Sequence, residues 1–596
     1  MNVGVDTGGT FTDVVASDGT IAKVPSTPDD PGRAVRSGAG AALGSTGGRP
    51  ALLAHGTTVA TNALLERRGA RVALVTNEGF EDVIEIARQN RPSLYYHWAD
   101  RPTPLVERDD RIGVKGRIGP DGNELEALDI GGSLGLSSEI EAVAVCLLHS
   151  DLNDDHERQV ARRLEAEGFD VSVSSDVSPQ FREYERTVTT VANAYLRPVC
   201  GSYLDALADA GDEVVVMTSA GGLVPLDDGA RLPVSLLLSG PAGGVLAGAG
   251  AAVDAGYPNA VTFDMGGTST DVCLVQNGVP EPAGEREVGG FTIRRASLDV
   301  HTVGAGGGSI AFLDSGGALQ VGPRSAGAVP GPACYGLGGT QPTVTDADLV
   351  GGRYPQGVEL PGVGVLDVEA ARRSLDAAGI TANDVISVVD ASMEQAVRAV
   401  TVARGVDPST LALVAFGGAG PLHACAVAEA LNMAAVVVPA RAGVLSALGC
   451  LAAPRQHDVV ASWPHGGDLA GLDTALDELR REALEALPGA EVETALECRY
   501  VGQSHEIRVS CVEDFPAAHE QRNGYSRPGT EIEVVALRAT ARLALAVVLS
   551  DMAPVQRQGA IGPAVIAEAD CTIWVPEGWQ GEVHSSGALV ITRTEP

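Results

Sequence analysis

Two segments of this chain carry the same short pattern of acids, glycines and hydroxyls. Residues 3–15 read VGVDTGGTFTDVV and residues 261–273 read VTFDMGGTSTDVC. At a constant offset of 258 positions, eight of thirteen residues are identical. In each copy an apolar run ends in an aspartate, Asp6 or Asp264, and a glycine pair follows, Gly8-Gly9 or Gly266-Gly267. Two threonines come next, Thr10 and Thr12 or Thr268 and Thr270, and then a second acid, Asp13 or Asp271. Paired glycines admit positive φ and let a ligand come close to the backbone. Backbone N–H groups and threonine hydroxyls can cradle phosphate oxygens, and a carboxylate beside them can hold Mg²⁺ or another divalent cation. One copy alone reads equally well as an ordinary β-hairpin; two matched copies point to a shared phosphate site.

A third glycine-rich element reads LVAFGGAGPLH over residues 413–423. An apolar strand runs into a turn at Gly417, Gly418 and Gly420, and Pro421 suits the first turn of a following helix. A backbone without side chains there can receive a flat base and its ribose; a plain strand–helix connection is the alternative. Other nucleotide motifs fail. No lysine is followed by Ser or Thr, so there is no Walker loop, and residues 304–308 (GAGGG) lack the full dinucleotide spacing.

The elements that must position these loops follow from the pattern. Each repeat predicts strand, Gly-Gly turn, strand, and two distant copies suggest two related halves facing each other. Residues 391–404 place Met393, Val397 and Val400 on one helical face before Gly405, and residues 472–487 repeat leucines before Pro488-Gly489. The last hundred residues predict short strands between Gly and Pro turns. We expect three units: residues 1–197 with an insert at about 80–180, residues 198–459, and a smaller β-rich domain at 460–596.

Composition narrows the function. The 596 residues carry a formal charge of −35, which argues against nucleic acid or an anionic membrane as partner. Of 42 basic residues only Lys23 and Lys115 are lysines; a GC-rich genome or a salt-adapted surface would each produce that bias. Nine cysteines lie singly with no C-x-x-C, which excludes common zinc and iron–sulfur spacings and suits reduced cytoplasmic thiols. Cys334, among glycines and prolines, reads as a buried thiol rather than a nucleophile, with no base adjacent in sequence. The first residues lack the basic start of a signal peptide. The longest uncharged run, from Arg231 to Asp254, is interrupted by SGPAGG at 239–244 and predicts strand, turn and small-residue helix rather than a membrane span.

Two phosphate hairpins plus an adenosine-type glycine loop resemble the actin-like ATPases. Nearly the whole chain further resembles the hydantoinase/oxoprolinase family, the hydantoinase A type. The matching blocks are HGTTVATN (55–62), RQNRP (88–92), REYERT (182–187), LSGPAGG (238–244), DVHTVGAGGGS (299–309), GPACYG (331–336) and TVTDAD (343–348). The segment between Tyr525 and Gly562 departs from the family by being shorter. The resemblance implies an α/β actin-like fold of duplicated RNase H-like domains, with an inserted α/β subdomain and a small β-rich C-terminal domain. It implies a cytoplasmic, ATP- and Mg²⁺-using subunit that activates a cyclic amide by phosphoryl transfer, working with a hydantoinase B-like second subunit in a hetero-oligomer. Two other readings stay open: an ATP-dependent carboxylase subunit acting on a ketone, and an actin-like ATPase switch that controls a partner.

Within that resemblance Gly8, Gly9, Thr10, Thr12, Asp13, Gly266, Gly267, Thr268, Thr270 and Asp271 are expected at the phosphates, and Gly417, Gly418 and Gly420 at the nucleoside. Asp6, Asp264 and His301 are the expected catalytic groups. Metal candidates are Asp6, Asp264, Asp299, His301, Asp346 and Asp348. Substrate candidates are His55, Thr57, Thr58, Arg88 and Arg91. For His301 a hydrogen-bonded structural histidine is the alternative, and for the two arginines a solvated or ion-paired helix end.

Overall fold

A computed structural model of the chain describes residues 1–27, 30–44, 48–132, 134–360, 363–545 and 552–594. The duplicated motif folds as expected. Asn2–Thr7 and Phe11–Ala16 form an antiparallel hairpin, and so do Ala260–Met265 and Thr270–Gln276. The repeat extends well beyond the hairpins. The first is continued on one side by Ile21–Pro25 and on the other by the parallel strands Leu52–Gly56 and Glu213–Met217. The second is continued by Val279–Pro280 and by the parallel strands Ala412–Phe416 and Ala435–Val438. Numbered within each half, both sheets run 3-2-1-4-5, antiparallel then parallel. Buried on both faces, the parallel strands read as continuous apolar runs such as ALVAF and AVVV. The chain therefore has an α/β fold built on two copies of one sheet.

Two helices join the halves. Ser239–Asp254 packs on the second sheet and Leu445–Ala452 on the first, and they pack against each other. Glycine lets them meet: a Cβ on Gly449 would lie 1.8 Å from the Gly243 carbonyl oxygen, and one on Gly4 2.1 Å from the carbonyl of Ala447. Residues 233–236, expected in a strand, make a single 3₁₀ turn before Ser239. No helix among the described residues is long and apolar enough to cross a membrane.

The insert is a five-stranded sheet in the order Glu124–Asp129, Arg111–Ile118, Val72–Asn77, Ala142–Val145, Asp170–Val173, starting somewhat earlier than residue 80. The expected unit boundaries shift at two places. Glu213–Met217 and Leu223–Pro225 complete the first sheet rather than opening the second half. After residue 460, Ala564–Ala567 and Thr572–Val575 pair as a two-stranded sheet of their own, and most other described strands join the two large sheets. Glu491–Tyr500, Ile507–Val509 and Ile532–Leu543 extend the first sheet through Arg455–Ser462. Trp579–Val583 and Leu589–Arg593 extend the second beside Ala435–Val438. Open edges of two large sheets offer unpaired backbone groups, and the C-terminal strands satisfy both. Of the segment noted as short, residues 546–551 lie outside the described residues.

The two expected helices are present. Ala382–Val400 buries Met393, Val397 and Val400 and stops at Gly405 after a 3₁₀ turn, with φ +76° at that glycine. Leu472–Ala486 buries Leu472 and Leu479 against the C-terminal strands.

Candidate functional site

Register decides where the paired acids point. Asp6 lies directly opposite Asp13, and Asp264 directly opposite Asp271. Opposed residues of an antiparallel pair share a face, so each hairpin presents two carboxylates side by side. The hairpins also face each other. A Cβ on Gly267 would lie 3.3 Å from Thr10 Oγ1 of the other turn. Four acids from residues far apart in the chain thus surround one cleft at the carboxyl ends of two sets of parallel strands, where ligands bind in open α/β sheets.

Both turns are tightly built. Gly8 N donates to Phe11 O at 3.0 Å and Gly266 N to Ser269 O at 3.0 Å. Gly9, Gly267 and Thr268 stay exposed at the tips. Ser26 braces the first turn, its hydroxyl donating to Gly8 O at 2.7 Å and lying 3.1 Å from Thr12 Oγ1. The GAGGG loop braces the second: Gly307 N and Gly308 N donate to Gly266 O and Gly267 O at 2.9 and 2.6 Å. Thr270 Oγ1 donates to Ala305 O at 2.7 Å. That loop, which resembled a weak dinucleotide motif, is a support for the hairpin.

The four carboxylates differ in what they already hold. Asp13 pairs with Lys23 Nζ at 2.9 Å. Asp271 accepts Thr302 Oγ1 at 2.5 Å. Asp264 has only a long contact from Ser446 Oγ at 3.4 Å, and Asp6 Oδ1 is buried with no hydrogen-bond partner. Burial, and then the neighbouring acids Asp13 and Asp271, push Asp6 up to about 7. Burial, followed by Asp271 and Asp6, pushes Asp264 up to about 8. Burial raises Asp271 to about 6 against the opposing Thr302 bond. A buried orphan oxygen within a cluster of four acids fits a divalent cation, and Asp6 and Asp264 are the carboxylates left over to hold it.

The two free aspartates have matching surroundings. Each abuts a glycine at the end of the adjacent parallel strand: a Cβ would fall 2.7 Å from Asp6 Oδ1 at Gly56 and 2.4 Å from Asp264 Oδ1 at Gly417. Each also lies at the start of a joining helix. A Cβ on Gly240, in Ser239–Asp254, would lie 3.3 Å from Asp6 Oδ1, and Ser446 of Leu445–Ala452 reaches Asp264. Gly417, at φ +79°, turns the chain from Ala412–Phe416 toward the helix Gly420–Ala430, with Gly418 exposed beside it. Ala419 N donates to Met265 O at 2.9 Å and ties this loop to the second hairpin. Thr58 also reaches the cleft wall, donating to Thr7 O at 3.3 Å. Lys23, Ser26, Gly240, Thr302 and Ser446 were not singled out from sequence. Of these only Lys23 carried a signal, as one of two lysines in the chain.

The remaining sequence candidates lie elsewhere. His55 is opposite Val5, not Asp6, so strand parity turns it to the other face of the sheet. It is buried against the Tyr203 hydroxyl at 2.7 Å, and burial pushes it down to about 4, which keeps it neutral. Thr57 is buried beneath the helix start, its carbonyl accepting Ser239 Oγ. His301 is exposed on an edge strand and opposite Val272, on the face turned away from Asp271. Asp299 is ion-paired with Arg404. Asp346 is fully buried and accepts from Ala333 N, Cys334 N, Thr343 N and Thr343 Oγ1, which commits it to capping the helix Val344–Val350 and the neighbouring turn. Asp348 is bonded to His423 Nε2 at 3.1 Å. Arg88 makes a two-point pair with Glu185, and Arg91 is exposed in the loop beyond. Cys334 is buried, with its thiol pushed far up by burial and by Asp346. His301, Asp299, Asp346 and Asp348 therefore do not join the carboxylate cluster, and His55 and Arg88 are engaged by structural partners, Tyr203 and Glu185.

Comparison with known proteins adds an independent line. The profile described as hydantoinase/oxoprolinase matches residues 186–459, and that of the hydantoinase/oxoprolinase N-terminal region matches residues 2–168. The caprolactamase subunit alpha of Pseudomonas jessenii is 34% identical over 99% of both chains. The 5-oxoprolinase 1 of Arabidopsis thaliana is 35% identical over 75% of this chain, which spans 40% of that longer protein. The acetophenone carboxylase gamma subunit of Aromatoleum aromaticum is 34% identical over 85% of this chain and 78% of its own. The crystal structure of the ATP-dependent caprolactamase from Pseudomonas jessenii superposes with a TM-score of 0.87 at 32% identity over the full length of both chains. A nucleotide-free acetone carboxylase shares the fold, with a TM-score of 0.78 at 22% identity.

Proposed function

This chain belongs to the hydantoinase/oxoprolinase family, and on that premise we propose that it is the ATP-using subunit of a cyclic-amide hydrolase, with two actin-like halves closing on one nucleotide. The observation that carries the reading is the pair of opposed hairpins, each offering bare backbone N–H groups at its tip and one uncommitted aspartate beneath.

Lactam amides are resonance-stabilised and react slowly with water. Moving the γ-phosphoryl group of ATP to the amide oxygen forms one P–O bond and breaks another, releasing ADP. Water can then add at the activated carbon; the C–N bond breaks, the ring nitrogen leaves as a protonated amine, and the resulting acyl phosphate is split by a second water into carboxylate and phosphate. Such transfer is a task of positioning and charge neutralisation. Gly8, Gly9 and Thr10 would hold phosphate oxygens from one side, and Gly266, Gly267 and Thr268 from the other. Asp6 and Asp264 would hold Mg²⁺, which supplies charge neutralisation at the transferred group. Asp13 is held by Lys23 and Asp271 by Thr302, so they would shape the field rather than ligate directly. Gly417, Gly418 and Gly420 would lie along the nucleoside. Among the described residues the cleft holds no evident apparatus for the water step, which fits a second, hydantoinase B-like subunit completing the reaction.

A carboxylase reading draws on the acetophenone carboxylase relative, since the same phosphoryl transfer could activate bicarbonate or a ketone. One experiment separates them. The chain, with and without the second subunit, is incubated with Mg-ATP and either a lactam panel (hydantoin, 5-oxoproline, caprolactam) or ketone plus bicarbonate. We expect lactam-dependent ADP release matched by ring opening only when both subunits are present. ADP release that needs bicarbonate would replace hydrolysis by carboxylation. Full hydrolysis by the isolated chain would place the water step within this sequence.

A further inference from the structure

Aromatic residues make up only 4% of this chain. Among the described residues four of them are exposed, and three, Tyr95, Tyr96 and Trp98, fall within four positions of one loop. Tyr95 is 93% exposed and Trp98 81%, with Leu94 bare beside them. The loop lies between the short helix Val83–Ile86 and the strand Arg111–Ile118. Large aromatic faces left in water are rare on a surface without a role, and Trp, Tyr and Arg dominate the energetics of protein interfaces.

The loop is fixed at its base and bare at its tip. Arg88 is held by Glu185 at one end. At the other, Arg101 donates to Ile86 O at 2.8 Å, Pro102 packs on Gly290, and Val106 is buried. Ser93 Oγ accepts from Tyr96 N at 3.1 Å and shapes the turn that presents the aromatics. An anchored base lowers the ordering cost of binding through the tip. Charge sets this loop apart as well. Residues 88–104 carry three arginines and one aspartate, in a chain whose formal charge is −35.

We propose that this loop is the docking surface for the second subunit, with Tyr95 and Trp98 as anchors entering an apolar pocket rimmed by carboxylates. This rests on the reading above that the chain works with a partner. The comparisons favour a different polypeptide over a second copy. The matching region is nearly the whole of a caprolactamase subunit but only 40% of the length of a 5-oxoprolinase, so in the longer relative more than half of the chain is other sequence accompanying it. Self-association would instead bring together two chains of −35 each.

The test uses the full chain and the separately purified hydantoinase B-type subunit from the same genome. Wild type and a Tyr95→Ser/Trp98→Ser double variant are compared by sedimentation and by titration of the second subunit, with Mg-ATP affinity of the isolated chain as the folding control. We expect the double variant to bind the subunit at least about 100-fold more weakly while its Mg-ATP affinity stays unchanged. Equal affinity of wild type and variant for the subunit overturns the surface but leaves the partner reading standing. No association of wild type with the subunit overturns both. Self-association of wild type that the variant abolishes, with subunit binding intact, overturns the choice of occupant.

Discussion

Asp6 and Asp264 behave as acids kept together against their own repulsion, and that has a consequence at the level of single residues. Their ordinary value is 3.8, and in the fold they stand near 7 and 8. The folded state thus holds these protons more tightly than the unfolded chain. The associated stability is fully present below about pH 4 and is lost as pH rises through about 7 to 8. The metal-free protein should therefore weaken across that window, and Mg²⁺ should restore most at its upper end. Asp264→Asn removes one unwelcome charge. We expect its metal-free melting temperature at pH 8 to rise by about a few degrees, its Mg²⁺-dependent stabilisation to vanish, and its ATP turnover to fall by roughly 100-fold or more. Asp6→Asn should behave alike. Scanning calorimetry with and without Mg²⁺ and an ADP-release assay check this; unchanged turnover in both variants would remove the assignment. These two acids were legible because their spacing recurs. The residues that neutralise or brace the cluster were not, since Lys23 acts through Asp13 and Ser446 arrives from 182 positions away. His55, Asp346 and Asp348 misled for a related reason. A polar residue inside a well-matched block can serve the site or the scaffold, and only face and partner distinguish them.

At the scale of elements, three helices are locked by a buried polar group that sequence periodicity could not reveal. His423, on Gly420–Ala430, lies between Asp348 of Val344–Val350 and Asp390 of Ala382–Val400, at 3.1 and 2.6 Å. Burial alone would push this imidazole down, but the two carboxylates outweigh it and raise it to about 9. A histidine bound as a cation in the fold contributes stability fully below about pH 6.5. That contribution is lost as pH rises through about 9. Asp348→Asn should flatten the fall in stability between pH 6.5 and 9 and lower stability at pH 6 by about 1–3 kcal/mol, because the helix Gly420–Ala430 loses a buried charge partner. Denaturant titrations at pH 6, 7.5 and 9 read this directly, and an unaltered pH slope would show that the imidazole is neutral. The helices themselves were plain from their apolar spacing, and their ends were marked by glycine. Strand partnership was less accessible. The C-terminal strands look like a small domain in sequence because local pattern specifies a strand but not which of two open sheet edges receives it.

At the scale of the whole molecule, the two lobes meet through glycine, and the meeting point is coupled to the site. Ser239–Asp254 and Leu445–Ala452 each carry a residue to one of the free aspartates at their first turn, Gly240 at Asp6 and Ser446 at Asp264. One turn or so further on, the helices cross at Gly243 and Gly449, where a Cβ on Gly449 would lie 1.8 Å from a backbone carbonyl. A contact that short cannot be relieved by a side-chain rotation, so the helices must separate. Gly449→Ala should therefore destabilise the protein by about 1–3 kcal/mol and also weaken Mg-ATP binding, because separating the helices withdraws both first turns from the cleft. Gly250→Ala is the matched control. It lies on the same helix as Gly243 with nothing within 4 Å of its Cβ, and alanine there should be neutral or stabilising by about 0.5–1 kcal/mol. Thermal unfolding and calorimetric titration of both variants decide the matter. If Gly449→Ala unfolds earlier but binds Mg-ATP as wild type does, the crossing holds the lobes together without setting the cleft. If both properties fall together, the distance between the two hairpins is fixed by this one close approach.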